Sequence, residues 1–470
     1  MPLMQTIQAI IIGAAGAMLA AAAPDPAVET AVRAALAKAP AGTRFGMVVR
    51  DAAGVEQVAI EPDRRFVPAS NTKIFTTLAS FATLPLDAAD DGGAGVRMEG
   101  RDVVLVGAGD ARLSSAADCQ VDCLATLADA VAAKTRVVGD VIGDDSRFPD
   151  QRWSPGMGWN NMAGRYGTAT SALTLDDNEL VLTVTAKGDR AVVGGSDYYR
   201  IDNRIRVGTT NAVAFERMPG SDVLRLSGTV APGPGVTVRT GVEDAAHHAA
   251  WMFAKLLRER GVRVTGSVAV RHRPHRAEED GGVVEGATLP PMLARLQPGP
   301  LIEDVTVTNK ASQNLHAELL LRRIGRVGGG GSIGDGLKRV EAMMASAGVP
   351  RSAWDLSDGS GMSTYNRVTP RAMVTLLTWA QAQPWGARWI ETLPVGGVDG
   401  TLSRRFRDTP LAGKIHAKTG TLSGVSALAG TMTAASGQTL TFALYANDNP
   451  DGTSATPTMD AALLAAAAAL

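Results

Sequence analysis

A chain of 470 residues is longer than one hydrophobic core usually organises, which sets an expectation of two to three domains. Its 46 Lys and Arg against 47 Asp and Glu leave a formal net charge of −1, which argues against a general nucleic-acid binder or a polybasic membrane-surface protein. With 45% apolar and 20% charged residues the chain is also too apolar and too neutral to be largely disordered, so a soluble, multi-domain globular protein remains.

Residues 9–23 read AIIIGAAGAMLAAAA, the length of a signal-peptide core and too short to span a bilayer. Ala20 and Ala22 supply the small-x-small pattern of a cleavage site, and Pro24-Asp25-Pro26 then interrupts any helix. No Lys or Arg precedes Arg33, so the usual cationic start is absent. The expectation is a signal peptide over residues 1–23 and export across the inner membrane to the periplasm. The alternatives are a hydrophobic N-terminal helix or a misassigned start codon.

The mature chain opens with helical text over 27–39. Two predicted strands follow, 46–50 and 57–60, joined by the turn Asp51-Ala52-Ala53-Gly54. Ser70 begins a predicted helix that runs to Thr83. The only two cysteines, Cys119 and Cys123, are close enough in sequence to close a local disulfide in an oxidising compartment, with a pair of free thiols as the alternative. No metal-type ligand spacing accompanies them.

Two segments, 127–145 and 253–270, each read as helix, turn and a strand of R-V-x-G-x-V type, which suggests one α/β domain built from two halves. Between them, 178–242 is β-rich, with turns at Pro219-Gly220 and Pro232-Gly233-Pro234, and reads as a small nested β domain. A linker over 276–286 and Pro290-Pro291 lead back to helical text at 312–326, 335–347 and 370–383, the last with Pro370 in its first turn. A hairpin (427–434 and 438–447, turning at Ser436-Gly437) and an Ala-rich final helix close the chain.

The predicted fold is therefore α/β (α+β), with a discontinuous main domain over 24–84 and 291–470. An α/β insert occupies 85–150 and 243–290, and carries the nested β-rich domain at 151–242.

Three short motifs carry chemistry. Ser70-Asn71-Thr72-Lys73 places a hydroxyl and an amine at i and i+3 on one helix face, where the amine can take the hydroxyl proton. A helix N-terminus and a second cation would hold Lys73 partly neutral, as a general base requires. Ser312-Gln313-Asn314 is a weaker signal, also readable as a capping Ser followed by a surface amide. Lys418-Thr419-Gly420 is the most specific, because the chain has only nine lysines.

In this order, S-x-x-K, S-x-N and K-T-G mark the penicillin-interacting serine enzymes. Longer blocks sharpen the resemblance: VPASNTK, GDVIGDDSRF, TNKASQNLHAELLL, SDGSGMSTYN, LPVGGVDGTL and KTGTLSGVSALAG, spread over 67–430. These resemble the penicillin-binding protein 4 type, the class C low-molecular-mass D-alanyl-D-alanine carboxypeptidases/endopeptidases. That family also carries a large insert between its first two motifs, and its catalytic domain has the serine β-lactamase/transpeptidase-like fold.

The resemblance implies a serine-type peptidase acting on peptidoglycan stem peptides, with β-lactams as covalent inhibitors and no cofactor or metal. It implies that Ser70 attacks the carbonyl of the penultimate D-alanine, with Lys73 as general base. Ser312 would pass a proton to the departing amine, and Asn314 would orient the substrate and Lys73. Lys418, Thr419, Gly420 and Thr421 would receive the terminal carboxylate, and the N–H groups of Ser70 and Thr421 would form the oxyanion hole.

Members that recognise the free amino acid end of diaminopimelate carry an Asp and an Arg where this chain has Asn161 and Thr364, while Tyr166 keeps the aromatic of that block. This departure implies tolerance of an amidated or differently substituted side chain. Asp358, Ser360, Asp399 and Gly400 are candidates for shaping the cleft, with Ser360 also a substrate-binding candidate; structural turns are the alternative.

Rival readings use the same residues. A β-lactamase or esterase would share Ser70, Lys73 and Lys418, and an idle cell-wall-binding protein would keep the fold. No G-x-S-x-G elbow supports a Ser-His-Asp hydrolase. The glycine run at 328–334 follows a predicted helix instead of a strand, which fails the context a dinucleotide site needs. Of six histidines, His247, His248, His272 and His275 lie in the insert, His316 reads as a helix-surface residue, and His416 flanks a strand. Oligomeric state and any loose membrane association are left open at this stage.

Overall fold

The computed structural model describes residues 23–88, 92–279 and 290–470. The expected signal peptide falls almost entirely outside the described residues, and so does most of the 276–286 linker. No described helix is long and apolar enough to cross a membrane.

The first and last parts of the chain build one antiparallel sheet in the order Ile415–Leu422, Val425–Thr433, Thr439–Asn447, Arg44–Arg50, Glu56–Ile60. Alternation along these strands explains its two-sided burial. Met47, Val49, Leu428, Phe442 and Leu444 point to a core closed by the helices Pro26–Leu36 and Thr456–Ala469. Val48, Ala427, Ala429, Ala443 and Tyr445 point the other way, against Ile74, Phe75 and Leu78 of the helix Thr72–Thr83. Three alanines on this second face let that helix approach closely. The helices Asn314–Arg326, Ile333–Ser346 and Pro370–Gln381 complete the layer. Two helices escaped the sequence reading, Ile302–Lys310 and the short Gly386–Glu391. The first is only weakly amphipathic because its sequence, IEDVTVTNK, mixes buried Asp304, Thr308 and Asn309 with its apolar residues.

A second five-stranded sheet has the order Val268–Arg273, Val141–Pro149, Asp102–Val106, Gly95–Glu99, Ala294–Arg295. The two similar segments meet here: Val141–Pro149 and Val268–Arg273 pair in parallel, as do Val137–Val138 and Arg263–Val264. Their helices, Leu124–Lys134 and Ala245–Glu259, pack together on one core. Ala294–Arg295 and Leu296 still belong to this core, so the chain leaves it later than the expected boundary at 291. The segment from Glu179 to Gly241 forms a six-stranded mixed sheet with its own small core around Leu182, Leu224 and Leu226. Cys119 and Cys123 are joined in a disulfide.

Candidate active site

A 3-10 turn, Ala69–Asn71, leads into the helix Thr72–Thr83 and carries Ser70 at its middle. Two segments distant in sequence converge on it. The Asn71 side chain donates to the Lys418 carbonyl at 2.7 Å, which ties the turn to the strand Ile415–Leu422. Gly420 passes so close that a Cβ there would sit 2.6 Å from the Pro68 carbonyl. From the other side Gly361, with φ of +89°, brings its backbone against the turn; a Cβ there would lie 2.0 Å from the Ala69 carbonyl. Both glycines are therefore required by close approach, and Gly361 also by its left-handed backbone.

Lys73 is fully buried, and its Nζ has three near neighbours: Ser70 Oγ at 3.0 Å, Asn314 Oδ1 at 2.5 Å and the Ser360 carbonyl at 2.6 Å. All three are uncharged acceptors. Burial pushes the Lys73 ammonium down to about 7, against the pull of Asp358 and Glu318, which lie behind it and favour the charged form. Desolvation is the largest cause that brings this amine into the range of a general base.

The Ser312 hydroxyl accepts from Lys418 Nζ at 2.8 Å, and the same amine donates to the Thr419 carbonyl at 3.1 Å. Burial, reinforced by Lys73, holds Lys418 well below the ordinary lysine range. Asn314 is oriented from the insert: its Nδ2 donates to the Tyr166 carbonyl at 2.7 Å, which leaves Oδ1 to face Lys73. Thr419 donates to Thr401 Oγ1 at 2.8 Å, while Thr421 is exposed on the strand beyond Gly420.

The structure thus brings Ser70, Lys73, Ser312, Asn314, Lys418, Thr419 and Gly420 into one cleft. Ser360 is present through its carbonyl; its hydroxyl lies 3.4 Å from Asp358 and only 2% of the residue is exposed. Asn161 and Tyr166 line an adjacent recess with Trp159, Phe215 and Arg217, on the insert side. Thr364 is exposed, with its hydroxyl and N–H both donating to the Gly156 carbonyl. Asp399 pairs with Lys310 at 2.6 Å and caps Val395, so it braces a turn.

Sequence reasoning missed Glu318 and Arg322. Glu318 accepts from the N–H groups of Gly359 and Ser360 at 3.0 and 2.9 Å, and Arg322 lies 3.4 Å from it. Burial and nearby Asp358 raise the Glu318 carboxyl, and burial lowers the Arg322 guanidinium. The available signal was the E-x-x-x-R spacing on an otherwise buried helix face.

The signature of the D-Ala-D-Ala carboxypeptidase 3 (S13) family matches residues 28–469. A D-alanyl-D-alanine carboxypeptidase of Actinomadura sp. (strain R39) is 33% identical over 452 residues, spanning 90% of this chain and 79% of that protein. The crystal structure of penicillin binding protein 4 from Haemophilus influenzae superposes with a TM-score of 0.77 at 21% identity, covering 92% of this chain and 97% of the other. The same relative complexed with a β-lactam gives a TM-score of 0.70 with the same coverage. Motifs, cleft and similarity along nearly the whole described length agree: the chain belongs to the D-Ala-D-Ala carboxypeptidase 3 (S13) family of serine peptidases.

Proposed function

We propose that this chain hydrolyses the D-Ala-D-Ala end of peptidoglycan stem peptides through a Ser70 acyl-enzyme, after export to the periplasm, and that β-lactams acylate the same serine. The observation that carries this reading is the buried Lys73 amine, 3.0 Å from Ser70 Oγ and titrating at about 7. Lys73 takes the Ser70 proton as Oγ bonds to the penultimate carbonyl carbon, and the oxyanion is met by the N–H groups of Ser70 and Thr421. The C–N bond then breaks as the amine of the departing D-alanine receives a proton through Ser312. Water attacks the resulting ester with Lys73 again as base, and Ser70 is regenerated.

Lys418, Thr419 and Thr421 receive the terminal carboxylate. Burial and Lys73 disfavour the Lys418 charge, and an incoming anion offsets both, so carboxylate binding and protonation of Lys418 go together. Beside the cleft, Asn161 and Thr364 replace an ionic pair with neutral groups, which supports acceptance of amidated or otherwise substituted side chains over the free amino acid end.

The test is incubation of wild type and Ser70→Ala with muropeptides, with products identified by mass. Release of D-alanine by wild type alone supports the carboxypeptidase reading, and loss of cross-linked dimers adds endopeptidase action. Equal products from both proteins overturn it. The side-chain reading is tested by Asn161→Asp with Thr364→Arg: a double variant that gains no preference for free over amidated diaminopimelate peptides overturns it.

A further inference from the structure

His316 follows Asn314 by two residues on the helix Asn314–Arg326. The sequence reading put it on the helix surface, yet only 3% of it is exposed. It is buried between two carboxylates: Nε2 lies 3.0 Å from Asp177 Oδ1, and Nδ1 lies 3.0 Å from Asp304 Oδ1. The first contact is a hydrogen bond, while the second has ion-pair distance without hydrogen-bond alignment. Asp304 stands on the helix Ile302–Lys310, whereas Asp177 belongs to the inserted part of the chain. The imidazole thus joins the insert to two helices of the catalytic layer.

Gln313 of the same motif lies close enough to Asp177 to help hold its carboxyl down, and its own Oε1 caps the helix by accepting from the Leu315 N–H. The segment that carries S-x-N is therefore held by tertiary contacts at three of its five positions from 312 to 316. Ser312 is held by Lys418, Asn314 by Lys73 and the Tyr166 carbonyl, and His316 by Asp177 and Asp304. Such holding is needed, because Ser312 sits at φ of 60°, a left-handed conformation that a serine leaves unless its surroundings enforce it.

Asp177 is itself rigidly presented. Asp176, Asp177 and Asn178 have φ of 49°, 56° and 53° in succession. The Asp176 carboxylate accepts from Ser114 Oγ at 3.1 Å and from the N–H and hydroxyl of Ser115 at 2.9 and 2.5 Å. Buried Asn178 bonds to the Leu175 N–H and the Ala169 carbonyl. Ser114 is in turn bonded through its backbone to Asp122 and Leu124, on either side of the disulfide cysteine Cys123.

We propose that Asp177 and His316 are positioning residues for acyl transfer, through which the insert holds the Ser312–Asn314 segment in register with Lys73 and Lys418. This inference rests on the assignment of Ser70 and its partners above.

The electrostatics fit that role. Burial alone would lower the His316 imidazole, but Asp177 and Asp304 raise it to about 9, so it is a cation at neutral pH. Behind Asp177 stands Arg165. Behind Asp304 stand Arg112, with Nε at 3.4 Å, and Asp110, whose own carboxyl is pushed up to about 7 by burial and by Asp122. The clamp therefore keeps its charge through neutral pH and weakens, as the ion pair is lost, when pH rises through about 9.

The experiment measures the second-order rate of acylation by a fluorescent penicillin from pH 6 to 10, with thermal melting of each protein, for wild type, Asp177→Ala, Asp177→Asn and His316→Gln. Wild type is expected to lose rate as pH rises through about 9. Asp177→Ala should acylate at least tenfold more slowly per folded molecule. Asp177→Asn, which keeps an oxygen for Nε2–H, should recover most of that rate. His316→Gln should be slow and should lack the alkaline decline. Asp177 is half-exposed, so its two variants decide the matter even where His316→Gln does not fold. Wild-type rates in folded Asp177→Ala, or losses that only track the unfolded fraction, overturn the proposal. A folded wild type that takes no label, like Ser70→Ala, overturns the Ser70 assignment and this inference with it, an outcome distinguishable from slow labelling of the variants alone.

Discussion

Lys73 and His316 are both buried basic groups, and burial acts on both in the same direction, yet they end on opposite sides of their ordinary values. Lys73 falls to about 7 and His316 rises to about 9. The difference lies in what stands at hydrogen-bond distance. Lys73 meets a hydroxyl, an amide oxygen and a carbonyl, with its carboxylates one layer back. His316 meets two carboxylates directly at 3.0 Å. Neutral acceptors cannot repay the loss of water around a charge, whereas paired anions can. The same fold thus keeps one amine ready to exchange a proton and locks the other cation in place.

The largest effect that would break this comparison is at Lys73 itself. Lys73→Met keeps the bulk but removes the amine, and acylation of Ser70 should fall about 10²- to 10⁴-fold in single-turnover measurements. A variant within tenfold of wild type would mean that Lys73 is a filler, not a base.

The next effect concerns the cation. The folded-state value of His316, about 9, lies above its ordinary 6.5, so its proton contributes stability fully below pH 6.5, and that contribution fades as pH rises through 9. The full difference is roughly 3 kcal/mol at most. Urea unfolding at pH 6 and pH 10 should show wild type losing more stability than His316→Gln across that window. Equal losses would place the two groups in the same class.

A geometric effect comes third. Gly361→Ala forces a Cβ toward the Ala69 carbonyl at a backbone φ of +89°, which should cost about 1–3 kcal/mol and shift the Ser70 turn. Acylation should drop about tenfold while inhibitor binding before the covalent step changes less.

The smallest effect sharpens the account of Lys73. Glu318→Gln retains an oxygen for the Gly359 and Ser360 N–H groups but removes a charge that favours the ammonium. The rising limb of the pH–rate profile should move down by roughly half a unit. An upward move would show that Glu318 does not act on Lys73 through its charge.

Local pattern made much of the scaffold readable. The turn at Ser436-Gly437, the helix at Pro370 and one α/β core built from two similar segments all follow from periodicity, Pro and Gly placement and internal similarity. The helix Ile302–Lys310 was not readable, because its buried face carries Asp304, Thr308 and Asn309 alongside its apolar residues. Those polar groups make sense only once their partners are in place, Asp304 facing His316 and Asn309 bonding to Thr392. His316 was misread for the same reason. A histidine beside Ala317 and Glu318 looks solvent-facing until an insert residue 139 positions earlier arrives against it.

The sequence by itself pointed to candidate groups for the chemistry: a serine three residues before a lysine, an S-x-N segment and a K-T-G strand, the first separated from the rest by more than two hundred residues. It also determined the family, because those blocks recur in order along nearly the whole chain. Protonation was decided only by the tertiary structure. Whether an amine is a base or a locked cation depends on how much water it loses and on which charges stand within a few ångströms. The deciding neighbours include Asp177, 139 positions from His316, and Asn314 and Ser360, 241 and 287 positions from Lys73, and no local pattern encodes their approach.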